Sequence, residues 1–327
     1  MNLKITKNDT IKLPISGKYI EDDVNIVIDV ETVDTSDATA NSDCILAPYT
    51  AYVNKEKITG TIQTYNGAMS DGAEVENSLI TFLNNEKNYY TKKDLEGATS
   101  IKHYMWYQNN NIISVELPDS IESIEQRAFS ACANLERVVL PKNLKTIGSY
   151  CFHTSPKLSG IILPDTLTTL GNASLQGTAI TTITIPDSVG RGNGSTFADC
   201  KNLVSANMGR ITSTGQGCFS NCTSLKNVQL GDYVDFISDG TFRNCTSLET
   251  ITLPATVTTI STNAFNGCTN LKEIICLAPN PPKLSANSFD GVPDDCLIKV
   301  LSSSIETYKT ATNWSIRADN IIEYVEV

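Results

Sequence analysis

From Ile112 onward apolar positions recur in a fixed order: an opening aliphatic, an alternating pair, a proline, then a phenylalanine and a cysteine. The opening positions are Ile112, Leu135, Leu158, Ile180, Leu203, Leu225, Leu248 and Leu271, spaced 23, 23, 22, 23, 22, 23 and 23 residues apart. Chance does not hold that register. Val115 and Leu117 recur as Val138 and Leu140, Ile161 and Leu163, Ile183 and Ile185, Val228 and Leu230, and Ile251 and Leu253. Alternation with a period of two predicts a short strand with one face buried. Pro118, Pro141, Pro164, Pro186 and Pro254 follow that strand, where the missing N–H ends pairing and starts a turn. Phe129, Phe152, Leu175, Phe197, Phe219, Phe242, Phe265 and Phe289 form a second apolar column on a return limb. No coil of this size buries its apolar side alone, so neighbours must stack into a solenoid.

The register runs past both ends of this block. Trp106 precedes Ile112 by the same interval as Phe129 precedes Leu135, and Asn109 takes the cysteine position. A degenerate opening coil is therefore expected over 89–111, with Tyr89, Tyr90, Tyr104, Trp106 and Tyr107 closing the core's end. After residue 291, CLIKVL reads as a strand, and Ser303-x-x-Glu306 has capping-box spacing for a helix through Tyr308. Trp314 and a last strand, IIEYV, complete a C-terminal cap over 292–327.

The ten cysteines follow the same scheme. Cys132, Cys200, Cys222, Cys245 and Cys268 share one position, which Ser155 and Thr178 fill in the other two units. Cys151 and Cys218 directly precede the phenylalanine column. Stacked coils repeat at about 4.8 Å, so equivalent cysteines lie near one another. Buried thiols acting as small apolar groups are the favoured reading. A few disulfides or a metal are the alternatives, the latter without a C-x-x-C pair to support it.

The unit Leu-x-x-Val-x-Leu-Pro … Ala-Phe-x-x-Cys resembles the BspA-like class of bacterial leucine-rich repeats, over about 95–327. The fold class expected is mainly β: a right-handed leucine-rich-repeat solenoid over 112–291, of about eight coils of 22–23 residues plus the opening coil. Small β-rich segments precede it and a small α+β cap closes it.

The first third is organised differently. Residues 1–33 alternate like strands around a Ser-Gly turn, and 34–64 hold a polar stretch followed by two short strands around Asn54-Lys55-Glu56. Residues 65–88 read as a linker. The phrases TIKLPISGKYIEDDVNIVID and DATANSDCILAPYTAYVNKEKITGTI resemble elements of phage and prophage tail proteins. Gly17, Lys18, Tyr19, Asp37, Ala38, Thr39, Ala40, Thr50, Ala51, Tyr52, Val53, Asn54, Lys57, Thr59, Gly60 and Thr61 carry that resemblance. Lys55-Glu56 departs from the usual Gly-Lys, which alters the turn and not the strands. The resemblance implies docking on a tail, with Gly17, Lys18, Tyr19, Tyr52, Asn54 and Lys57 as the candidate docking residues.

A net charge of −11 and the lack of any basic run argue against nucleic acid. No stretch approaches 18 apolar residues, so membrane insertion is not expected. MNLKITKNDT lacks the apolar core of a signal peptide, which points to cytoplasmic synthesis and a virion tail location, with the bacterial cell surface as the alternative. His103 and His153 stand in no recognisable catalytic context, so neither enzymatic activity nor a cofactor is expected. Gly190, Gly192 and Gly194 in VGRGNGSTF read as a locally widened turn, because a phosphate-cradling loop would need a strand before it and a helix after it. Asn172, Asn193, Asn221, Asn244 and Asn313, in Asn-x-Ser/Thr triplets, read as polar turn residues.

What remains is surface. Outward residues of the predicted strands form two rows, and from them Arg137, Val139, Ile162, Thr182, Thr184, Asn207, Asn227, Gln229, Thr250 and Thr252 are the candidate binding face. Tyr233 and Phe236 flank a nearby turn as a lesser apolar contact. Expected partners are other virion proteins through the N-terminal region and a host surface glycan or protein through the repeats. A homo-oligomer is left open. The function expected is a phage or prophage tail fibre or baseplate protein presenting the repeats for recognition. A BspA-like surface adhesin and a purely structural virion protein are the alternatives.

Overall fold

The computed structural model describes residues 87–326, together with the backbone of four N-terminal strands, Asn2–Lys4, Asn25–Val27, Tyr49–Val53 and Glu56–Gly60. The chain divides into two compact units, Met1–Lys87 and Asn88–Val327. In the first, the four strands form one sheet in chain order. The first three run parallel, and the last two form an antiparallel hairpin in which Val53 pairs with Glu56. Glu56, expected in the turn, therefore belongs to the second strand of the hairpin.

The second unit is a parallel β-solenoid of about ten turns. Its front ladder comprises Tyr89–Tyr90, Ser114–Glu116, Arg137–Val139, Thr182–Thr184, Ser205–Asn207, Asn227–Gln229, Thr250–Leu253, Glu273–Cys276, Leu297–Val300 and Ile321–Glu323. The inward residues Val115, Val138, Ile161, Ile183, Ala206, Ile251, Ile274 and Ile298 are buried, as the alternation predicts. Each proline after a front strand uses its carbonyl to close a turn: Pro118, Pro141, Pro164, Pro186 and Pro254 accept from Ile121, Leu144, Leu167, Val189 and Val257. The lost N–H stops the strand while the carbonyl still builds the bend.

A second column of two-residue strands follows these turns: Ser100–Ile101, Ser123–Ile124, Thr146–Ile147 and Thr169–Leu170, then Phe236–Ile237, Thr259–Ile260 and Lys283–Leu284. Between Leu170 and Phe236 only an isolated bridge, Ser213 to Phe236, continues it.

The return limb is a run of linked turns. Alternate N–H groups bond the next coil, as in Tyr104 to Gln126, Trp106 to Ala128 and Gln108 to Ser130, while the intervening ones close turns within the coil, as in Tyr107 to Tyr104. This needs two left-handed residues per coil. Tyr104, Arg127, Tyr150, Ala173, Ser195, Gly217, Gly240 and Asn263 fill the first place; Gln108, Ala131, Thr154, Gly177, Asp199, Asn221, Asn244, Gly267 and Gly291 fill the second. Glycine and asparagine adopt this conformation at little cost, whereas most other residues pay about 1–2 kcal/mol. The coil-to-coil bonds hold them there.

The phenylalanine column is a continuous stack of rings but for Leu175. Trp106, Phe129 and Phe152 follow at centroid distances of 4.8 and 5.2 Å, and Phe197, Phe219, Phe242 and Phe265 at 5.5, 5.7 and 5.4 Å. Tyr90 packs on Trp106 at one end, and Phe289 passes the column to Trp314 at the other. Each fully buried ring contributes about 1.5–3 kcal/mol.

The cysteine column is more polar than a set of small apolar groups. Cys132, Cys200, Cys222, Cys245 and Cys268 each donate a thiol hydrogen to the carbonyl of Trp106, Leu175, Phe197, Phe219 and Phe242 in the preceding coil. Ser155 makes the same bond to Phe129 at 2.8 Å, which explains why a hydroxyl can stand in for the thiol. Among the described residues the cysteines are free and buried.

Two expectations are corrected. Of the five aromatics placed at the opening end, only Tyr90 and Trp106 are buried. Tyr89 is exposed, and Tyr104 and Tyr107 lie half-buried edge to face. In the tail, the helix is Ile305–Thr310, entered from Ser304 without a side-chain cap. Ser303 caps nothing, because the adjacent Ser302–Ser304 turn carries the chain in and Ser304 Oγ donates instead to Pro279 O. Tyr308 is buried, donating to Ala278 O, and Trp314 Nε1 donates to Pro282 O, so both aromatics seat the tail on the last coils.

Candidate functional site

The residues of the expected binding face share the front ladder, in register. Thr182 pairs with Ser205, which pairs in turn with Asn227, and Thr184 pairs with Asn207, which pairs with Gln229. Arg137 and Val139 belong to the preceding set of strands, and Thr250 and Thr252 to the following one. Thr182, Thr184, Asn227, Gln229, Thr250 and Thr252 are exposed, while Val139 and Asn207 are half-buried. Asn207 Oδ1 is already committed to Gly209 N. Ile162 lies off the strands, just past Gly160, which keeps only a bridge to Arg137, and it is 86% exposed.

Charge is confined to the two ends of this face. Arg137 meets Glu116 at 3.9 Å and Lys299 meets Glu273 at 2.8 Å. Between them, from Thr182 to Thr252, the named outward residues are short, uncharged donors and acceptors. Apart from Ile162, these positions alternate with the inward residues of their strands, since a strand period puts every second residue on one side.

Of the expected docking residues, Tyr52 and Lys57 are paired across the N-terminal hairpin. Gly17, Lys18, Tyr19 and Asn54 lie outside the described residues.

The glycine-rich segment does more than widen a turn. In the second strand column the inward position is Ile101, Ile124, Ile147 and Leu170, then Gly192 and Thr214, then Ile237, Ile260 and Leu284. Two successive coils thus lack the aliphatic anchor that draws a strand onto the core. A recess of about 650 Å³ opens there, lined among others by Asn172, Arg191, Thr212, Gln216, Asp235 and Phe236. Side chains replace the missing ladder bonds: Asn193 Nδ2 donates to Leu170 O, Gly194 N to Asn172 Oδ1, and Ser238 N to Thr214 Oγ1. A Cβ on Gly192 would stand 2.6 Å from Ser213 O and Thr214 O, so only glycine lets these coils approach. Thr214 escaped the sequence reading, although its register with Ile237 carried the signal.

The titratable groups show no assembled catalytic centre among the described residues. His103 Nε2 faces Glu125 at 3.1 Å, in the opening coils. His153 packs edge-on to Tyr150, and burial followed by the Arg127 charge lowers its pKa. The thiols are pushed up by burial, Cys132 and Cys268 to about 12, which suppresses the nucleophilic thiolate. Asn221, Asn244 and Asn313 are left-handed turn residues. No helix among the described residues is long and apolar enough to cross a membrane.

Parallel front strands, a proline turn and a phenylalanine return limb, repeated every 22–24 residues, define a leucine-rich-repeat solenoid. The family model for the BspA type leucine rich repeat region matches six copies over residues 88–204 and 195–292, more than half of the chain, and the protein belongs to that family. No curated protein matches it. Among solved structures, a leucine-rich repeat protein from Bacteroides ovatus ATCC 8483 is 20% identical, over 70% of this chain and 88% of its own, with a TM-score of 0.33. One from Eubacterium ventriosum ATCC 27560 is 20% identical over 63% and 64%, with a TM-score of 0.43. The T. pallidum leucine-rich repeat protein is 23% identical over 66% and 82%, with a TM-score of 0.35.

Proposed function

We propose that this protein is a non-catalytic recognition module that presents its front ladder to a cell-surface macromolecule, in the manner of a bacterial surface adhesin of the BspA-like class. The observation that carries this reading is the uncharged centre of the front face, in register from Thr182 to Gln229 and continued by the exposed Thr250 and Thr252 of the next set of strands. Short side chains on a rigid sheet lose little rotamer freedom when a partner docks. Repetition across coils matches an extended partner better than a small molecule.

The test is cell binding by labelled full chain, measured by flow cytometry on bacterial and epithelial cells. Thr184→Arg combined with Thr252→Arg adds bulk and charge at exposed positions without touching the core. Binding should fall by about tenfold, a loss of the size expected when a central contact is broken. Equal binding by the variant sinks the front-face assignment.

A second reading concerns attachment, and the residue pattern from Gly17 to Thr61 favours it: the N-terminal unit docks the solenoid on a phage or prophage tail. Particles made with a chain lacking residues 1–86 should not carry the solenoid. Incorporation of the shortened chain rules out docking through this unit, and cell-surface display without particles favours the adhesin alone.

A further inference from the structure

We propose that the recess in the second strand column is a carbohydrate site for a neutral, polyhydroxylated segment. It lies on a different strand column from the front face, and rests on the recognition reading only in taking the protein as a binding module. Three features of the recess point to this ligand class.

The first is charge. Arg191 and Asp235 are the only lining residues that carry full charge, and their signs cancel. Both are exposed, and neither has an ion-pair partner among the described residues. A phosphate, a sulfated chain or a polyanion would meet no net positive potential here, in a protein of net charge −11.

The second is the hydrogen-bonding set. Gln216, Asn172 and Thr212 are exposed beside Arg191 and Asp235, so planar amides, a guanidinium, a carboxylate and a hydroxyl converge. A sugar hydroxyl both donates and accepts, and matches such a mixture where a purely donating or accepting ligand does not. The walls are already fixed: the Asn172 carbonyl oxygen is held by Gly194 N, which leaves its amide N–H groups for a ligand. Preorganisation of this kind lowers the entropy lost on binding.

The third is an aromatic face. Phe236 stands in the outward column one coil beyond Ser213 and two beyond Arg191, and is 36% exposed in a position that Thr146, Thr169 and Thr259 fill elsewhere. An exposed ring beside polar groups offers the C–H face of a pyranose an apolar platform. Coils repeat at about 4.8 Å, so the row from Arg191 to Phe236 spans roughly 10 Å, the scale of one to two sugar rings. The volume of about 650 Å³ accommodates them.

The experiment applies the full chain to immobilised oligomers of glucose, mannose, galactose and N-acetylglucosamine, with heparin as the anionic control. At least one neutral oligomer should be retained and heparin should not. Phe236→Ala and Asp235→Asn should each weaken retention by about tenfold. Asp235 is exposed, so Asp235→Asn should leave the melting temperature unchanged, and Phe236→Ala, at a ring 36% exposed, should lower it only slightly. Thr184→Arg, on the front ladder, should leave it unchanged. Retention of no neutral oligomer, or full retention by Phe236→Ala, overturns the site. Sugar loss caused by Thr184→Arg alone would move the carbohydrate to the front ladder, overturning the recess while sparing the recognition reading. Cell binding lost on the front-ladder variants with sugar retention intact would leave both standing as separate surfaces.

Discussion

The return limb and the second strand column pass through the same coils, yet the limb keeps its bonds throughout while the column opens at Gly192 and Thr214. Leu175 replaces a ring in the limb, and Leu175 N still bonds Thr196 O as Phe152 N bonds Ser174 O. The difference lies in how each is held. The limb has several independent restraints: alternate amide bonds, a ring on the stack in every coil but that of Leu175, and a thiol or the Ser155 hydroxyl bonded to the preceding coil's carbonyl. A two-residue strand has one buried anchor, and without it the regular ladder gives way to an isolated bridge and scattered bonds such as Gly192 N to Ser213 O. Redundancy makes one column tolerant and the other a place where the solenoid can be opened.

Alkaline pH should attack the limb most, because the thiol column belongs to it, with Cys276 on a front strand and Tyr308 in the tail helix as the buried groups it reaches elsewhere. Below about pH 9 folded and unfolded chains both keep their thiol protons, and the thiols contribute no pH dependence. Above that the unfolded chain sheds protons that the folded one retains, so each buried thiol costs about 1.4 kcal/mol per pH unit, until Cys132 and Cys268 ionise near 12. Melting temperature should therefore fall steeply above pH 9; a flat profile to pH 11 would mean that the thiols are not the restraint described. Phe219→Ala, in the middle of the ring stack, should cost about 3–5 kcal/mol in denaturant titrations. In the opened column, Gly192→Ala should cost about 1–3 kcal/mol through its clash with Ser213 and Thr214 carbonyls. Gly190→Ala, with open space at its Cβ, should stay within about 0.5 kcal/mol. Equal costs at the two glycines would remove the close approach as the explanation. Cys222→Ser should lose less than about 1 kcal/mol, since Ser155 shows the bond a hydroxyl makes, and Cys222→Ala should lose more.

What was legible in the sequence was what repeats with side chains of one kind. The front strands, prolines, ring column and cysteine positions each impose a chemical type at a fixed interval, and all stand in the structure where the spacing put them except the strand expected at Ile161 and Leu163, which is reduced to the Gly160 bridge. The front face followed, because strand alternation decides which side a residue takes. The left-handed columns were not legible: Tyr104, Arg127 and Tyr150 hold places that local preference would give to glycine, because coil-to-coil bonds outweigh that preference. The recess was half legible. Three glycines announced Gly192, whereas Thr214 is an ordinary residue in a threonine-rich chain and matters only against the isoleucines stacked beside it. In the tail, three consecutive serines made cap spacing a poor guide, and contacts with Pro279 chose Ser304.

The ring stack has one further consequence. The chain contains two tryptophans, and they stand at opposite ends of that stack, Trp106 against Tyr90 and Trp314 against Tyr308. Its interior rings are phenylalanines, which absorb and emit weakly beside indole. Indole fluorescence, excited beyond the tyrosine band, therefore watches the two termini of a one-dimensional array and is blind to its middle. Replacing either tryptophan by phenylalanine leaves a probe of a single end, so the direction in which the solenoid frays becomes an optical measurement.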